Sequence, residues 1–171
     1  MILLEHNNSE VISIVDADSK ESIAINNRKP VLELFHLAKH NSNHVLVWYH
    51  ESLKNVINIE GIKTSFYLKN MMFSYSLENY FPEQIGYVED SPFLKINKKV
   101  KYPTWQMSSS VGVIHASQLL KFEKYIDEND SFDYTLNAIA RIGMSRGLFC
   151  YSEPKLLDDL NSLMPSNQAS K

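Results

Sequence analysis

Apolar positions recur along this chain with two different periods, and the alternation between those periods outlines an α/β protein. Residues 3–6 and 11–15 are short apolar-rich runs flanking Asn7-Asn8-Ser9, which by turn chemistry predicts a hairpin of two strands. Residues 22–25 suit a third short strand. From Pro30 the period changes. Val31, Leu34, Phe35 and Ala38 fall at i, i+3, i+4 and i+7, the stripe of an amphipathic helix with proline in its first turn. Residues 45–49 read Val-Leu-Val-Trp-Tyr, an unbroken apolar run expected of a strand covered on both faces. Ser52 can cap a helix carrying Leu53, Val56 and Ile57, and residues 71–75 form another apolar strand.

Residues 77–92, with Pro82, Gly86 and Pro92, read as an irregular excursion, and residues 93–102 as a strand or hairpin. Within them Lys95, Lys98, Lys99 and Lys101 interleave with Ile96 and Val100, the pattern of a strand's solvated face. Helical spacing returns over 115–126 through Leu119, Phe122 and Ile126. It returns again over 132–142, where Phe132, Leu136, Ile139 and Gly143 are in register. Gly147 ends that unit, residues 148–151 read as a buried strand, and Pro154 opens a last short helix. Strands alternating with helices predict a single three-layer α/β domain with a mixed sheet over residues 1–159. Residues 160–171 turn polar and Ser/Asn-rich, as a tail or the start of a linker.

Composition narrows the function classes. A formal net charge of -3 gives no electrostatic footprint for nucleic acid. No window approaches the ~20 apolar residues of a membrane span. Cys150 is the only cysteine, so no intrachain disulfide forms and a reducing cytoplasm is the expected compartment.

The densest chemistry lies in Tyr-Pro-Thr-Trp-Gln-Met-Ser-Ser-Ser, residues 102–110, where an aromatic, an amide and three hydroxyls precede an apolar run. Trp105, Gln106, Ser108, Ser109 and Ser110, with Tyr80, Glu83 and His115, are candidates to line a cleft for a small polar ligand such as a sugar. The competing reading makes Trp105 a core anchor and gives the hydroxyls to nearby backbone. Asp133 follows Asp130 and Ser131 into a helix, where a cap and a first-turn charge explain it; it is also a candidate catalytic base. Asp16 and Asp18, one residue apart, could hold a divalent cation, although a polar turn accounts for them as well. His36, His40 and His44 have ligand-like spacing, but Asn41-Ser42-Asn43 stops the helix before the third. Glu51, Glu83, Glu89 and Asp90 could supply a carboxylate pair for glycoside hydrolysis, with no spacing that selects two of them.

Several strings together carry a family resemblance: Val47-Trp48-Tyr49-His50, residues 82–89, the Thr-Trp-Gln-Met-Ser-Ser core within 102–116, Phe132-Asp133-Tyr134-x-Leu136-Asn137, and residues 147–154. In order and spacing they resemble the N-terminal region of a group of Bacteroidetes family 2 glycosyltransferases, over roughly residues 30–157. The units at 112–125 and 132–152 also resemble the second half of a transferase catalytic fold, which implies a degenerate relative of the nucleotide-sugar transferase fold. The resemblance implies an accessory domain that precedes a catalytic domain, binds a glycan or a partner, and holds no cofactor of its own. Two other functions stay open. One is an active nucleotide-sugar-dependent transferase with a divalent cation on Asp16 and Asp18 and Asp133 as base; the other is a protein–protein interaction domain.

Overall fold

In the computed structural model, which describes residues 1–76 and 99–158, the chain opens with the predicted hairpin. Strands β1 (Ile2–His6) and β2 (Val11–Asp16) pair antiparallel. Asn8 makes the turn at φ 75°, a left-handed conformation that asparagine tolerates better than most residues. The Val11 N–H donates to the Arg28 carbonyl oxygen (2.7 Å), which returns the chain to the carboxyl end of β1. There α1 (Pro30–His40) begins. It runs back along the sheet and stops at Asn41, so His44 lies past its end as the Asn-Ser-Asn run predicts.

Strand β3 (Val45–His50) lies parallel to β1, with Leu4 opposite Trp48. Its alternation explains the unbroken apolar run: Leu46 and Trp48 enter one core, Val47 and Tyr49 the other. After β3 come α2 (Ile59–Ser65), β4 (Met71–Tyr75), a two-residue β5 (Tyr102–Pro103) and β6 (Val111–His115). The chain continues through α3 (Ala116–Leu119), α4 (Phe132–Met144) and β7 (Phe149–Ser152).

The fold class is α/β. A seven-stranded mixed sheet runs in the order β2-β1-β3-β6-β4-β7-β5. Strands β1, β3, β4 and β7 point one way, and β2, β6 and β5 the other. Helices α1, α3 and α4 cover one face over Leu4, Leu46, Trp48, Met72 and Ile114. The opposite face, with Val47, Phe73 and Val113, is covered by Ile62 of α2 and by Leu53 and Leu156 from short 3₁₀ turns. The sheet is thus buried on both sides, which is what its hydrophobic strands require.

Several expectations fail locally. The helix expected after Ser52 is only a 3₁₀ turn, Glu51–Leu53, capped by the His50 ring. The helix forms later as α2, where Asn58 accepts from the Gly61 N–H and supplies a true cap. Residues 22–25 contribute a single bridge, Val15 to Ser22. The long helix over 115–126 divides into α3 and a 3₁₀ segment, Leu120–Tyr125. Its first expected residue, His115, instead ends β6, a strand in the middle of the sheet. The buried strand expected over 148–151 forms one residue later as β7, next to the short edge strand, and its Phe149 is exposed. Lys101 does not face solvent as a strand lysine would: its ammonium lies 4.2 Å from the Phe73 ring centroid and 4.6 Å from that of Tyr151. Lys95 and Lys98 fall outside the described residues.

Candidate functional site

Residues 107–110 must carry the chain from the edge strand β5 across the ends of β7 and β4 to the central β6. On that path their backbone has no ladder partner, yet Met107, Ser108 and Ser109 are buried. Buried amides and carbonyls have to be paired, and here they are paired mainly by side chains. The Asn137 amide is two-pronged: Met107 N–H donates to its Oδ1 (2.8 Å), and its Nδ2 donates to the Met107 carbonyl (3.1 Å). Ser108 N–H donates to Ser74 Oγ (2.9 Å), and the Trp48 indole N–H donates to the Ser108 carbonyl (3.0 Å). Ser109 N–H donates to Asp133 Oδ1 (2.7 Å), and the Ser109 carbonyl accepts from His6 Nε2 (2.9 Å). Ser110 N–H donates to Ser108 Oγ (3.0 Å), and its carbonyl accepts from His50 N–H (2.8 Å). Every N–H and every C=O of the loop has a partner.

His6 is held as one neutral tautomer. Its Nδ1 accepts from Asn8 N–H (2.9 Å), so the proton sits on Nε2 and points at the Ser109 carbonyl. Burial pushes its pKa down to about 4; the Ser109 carbonyl opposes that shift without reversing it. A folded-state pKa below the ordinary 6.5 means that the unfolded chain binds the proton first. The contribution, about 3 kcal/mol, is therefore present above pH 6.5 and is lost as pH falls toward 4. Urea midpoints measured from pH 7 to 4 should fall steeply, and His6→Gln should flatten that part of the profile.

Beside the loop lies a cleft of about 280 Å³, bounded by the β1–β2 turn, the start of α1 and the segment leading into α4. It opens beyond the carboxyl ends of the parallel strands β1 and β3, where ligands of open α/β sheets bind. Asn8, Lys29, Ser109, Asn129, Asp130 and Asp133 face it. Ser131 caps α4 by accepting from Tyr134 N–H (3.2 Å). Lys29 Nζ donates to the Glu128 carbonyl (2.8 Å) and ties the two walls together. The Ser109 hydroxyl has one hydrogen, and its nearer acceptor is Asp133 Oδ2 (3.1 Å, against 3.3 Å to Asn8 Oδ1). Asp133 is exposed, so each of its oxygens keeps a lone pair for a further donor.

The residues nominated from sequence divide accordingly. Ser108, Ser109, Ser110 and Asp133 come together in one network, and of these Ser109 and Asp133 reach the cleft. Gln106 is half-buried, with its N–H on Thr104 Oγ1 (3.0 Å). Trp105 is 48% exposed and lies against the Arg141 guanidinium (5.8 Å), away from the cleft. Truncating it to alanine should cost less than about 1 kcal/mol, measured as a small change in urea midpoint, since it is no core anchor. His115 stands at the far end of β6 from Ser110, bonded to Ser117 Oγ (2.8 Å), and does not join the site. Tyr80, Glu83, Glu89 and Asp90 lie outside the described residues.

Asp16 closes a turn, with its Oδ1 accepting from the N–H groups of Asp18 (2.8 Å) and Ser19 (3.2 Å). Asp18 pairs with the Met1 ammonium (2.9 Å). His36 and His40 stack with centroids 4.4 Å apart, and His40 Nδ1 bonds the His36 carbonyl oxygen (2.9 Å). Among the described residues no three His, Cys, Asp or Glu side chains converge as a metal cluster. None of the described helices is long and apolar enough to cross a membrane.

Sequence reasoning missed His6, Asn8 and Asn137. The signal for Asn137 was present: it lies four residues after Asp133, on the same helix face. His6 continues the alternation of Ile2 and Leu4 into the core. No protein-family model, curated protein or solved structure matches this chain.

Proposed function

We propose that this chain is the accessory, ligand-holding domain of a glycosyltransferase-type protein, and that it takes a glycan unit in the cleft beside Ser109 and Asp133 rather than carrying out transfer by itself. The observation that carries the reading is the state of its two best chemical groups. His6 has both ring nitrogens occupied, and Asp133, whose oxygens each keep a lone pair, is held on Ser109 as a fixed acceptor at the cleft wall. A general base needs a free lone pair aimed at a transferable proton and a pKa near the working pH. A buried imidazole at about 4 with no free nitrogen has neither.

The same groups suit binding. A carboxylate fixed in place, an Asn8 carbonyl oxygen, the Asn129 amide and the Lys29 ammonium offer acceptors and donors at the rim of a small cleft. Sugar hydroxyls need that mixture, because each both gives and takes a hydrogen bond. The resemblance to the N-terminal region of Bacteroidetes family 2 glycosyltransferases supports the same assignment.

A screen of neutral oligosaccharides against the intact chain tests the reading. Binding should be found, should weaken in Asn129→Ala and in Lys29→Met, and should be accompanied by no sugar transfer. Manganese-dependent binding of a nucleotide sugar, lost in Asp16→Asn, would instead favour an active transferase.

A further inference from the structure

The outer face of α4 carries chemistry that the cleft does not use. Tyr125, Tyr134, Ala138, Arg141 and Arg146 line a groove of about 550 Å³. Its two guanidiniums are both held by aromatic rings. Arg141 lies 5.8 Å from the Trp105 centroid, and Arg146 lies 5.3 Å from that of Tyr125 while donating to its hydroxyl (2.7 Å). Neither has a carboxylate within ion-pair distance among the described residues. Their place near the C-terminus of α4 accounts for positive charge there, but it does not account for two guanidiniums with no carboxylate partner among the described residues of a chain of net charge -3. Nor does it account for Trp105 and Tyr134 being 48% and 61% exposed beside them.

We propose that this groove is a second saccharide-binding site, selective for glycans that bear carboxylates, such as uronic-acid oligomers. A guanidinium fork matches a carboxylate in shape and charge, and an exposed ring offers a flat face to the C–H side of a pyranose. Arginines interleaved with rings therefore fit successive sugars that each carry an acid group. An extended acidic peptide fits less well. The backbone of α4 is already bonded within the helix, so the groove offers a peptide's own amides no open strand edge to pair with. The site stands on the residues around α4 and does not depend on the reading of the cleft.

The experiment is calorimetry on the intact chain at low ionic strength with tetramers of galacturonate, glucuronate and mannuronate, and with the fully methyl-esterified form of each. At least one acid tetramer should bind. Its ester should bind about tenfold more weakly or not at all, because only the charge-assisted bonds are removed. Added salt should weaken the acid and leave the ester unchanged. Arg141→Gln combined with Arg146→Gln should match the effect of the ester, while Asn129→Ala in the cleft should leave uronate binding intact. Absence of binding by every acid tetramer, equal binding of acid and ester, or equal binding of a tetraglutamate peptide would overturn the proposal. The acid-against-ester comparison uses the unaltered chain, so it decides the matter even where the double variant misfolds.

Discussion

Replacing Asn137 with alanine is expected to cost about 2–4 kcal/mol and to loosen the whole serine loop. The amide touches only Met107 and the helix turn below it, at Met107 N–H, Met107 C=O and the Asp133 carbonyl. Met107 is fully buried, so water cannot replace either loop bond without opening the loop. An unsatisfied buried donor or acceptor costs about 1–3 kcal/mol, and two are created at once. Asn137→Asp is the sharper variant. It keeps volume and one acceptor, yet sets a carboxylate oxygen against the Met107 carbonyl, so it should destabilise at least as much as alanine. Urea unfolding gives the size of the effect. Faster hydrogen exchange at Met107, Ser108 and Ser109 would locate it in the loop.

Gly112→Ala should be at least as damaging, by about 3 kcal/mol, the upper part of the range for overpacking a filled core. Gly112 sits opposite Trp48 across the β3–β6 ladder, and the indole lies over its Cα. An added Cβ would stand 2.1 Å from Trp48 Cζ2 and 2.7 Å from the Phe73 carbonyl oxygen. The ring cannot step aside, because its N–H is fixed on the Ser108 carbonyl. Combining Gly112→Ala with Trp48→Phe removes the obstructing ring edge, so the pair should be less destabilised than the sum of its parts. Strict additivity would mean that the strand, rather than the indole, resists the methyl group.

These two residues show how far the sequence could be read. The hairpin, α1, β3, β4, α4 and β7 were legible because each has a local signal: turn residues, a 3.6-residue stripe or an unbroken apolar run. The strand β6 was not assigned because His115, whose ring caps the following helix, blurs where strand ends and helix begins. The helix after β3 was misplaced because Ser52 looks like a cap, while the working cap, Asn58, precedes a weakly patterned segment.

The serine loop stands out in the sequence, and one of its two readings there, hydroxyls bonded to nearby backbone, holds for Ser108, whose Oγ accepts from the Ser110 N–H. That His6, Asp133 and Asn137 are the loop's partners is not legible there. Which backbone groups lack ladder partners depends on β5 and β6 being three strand positions apart. Trp105 and Ser109 are close in sequence but face different surfaces, so the proposed cleft gained Asn8 and Asn129 and lost Trp105. Such groupings are set by topology, which short motifs do not encode.

The proposed function rests on a neutral saccharide entering the cleft beside Asp133. Amide nitrogen–proton correlation spectra of the labelled chain, titrated with the oligosaccharide found in the screen, test it most directly. Saturable shifts are expected at Asn8, Ser109, Asn129 and Ser131, with Arg141 and Arg146 unmoved and the response lost in Asn129→Ala. Shifts confined to other surfaces, or an unchanged spectrum at saturating sugar, would contradict it.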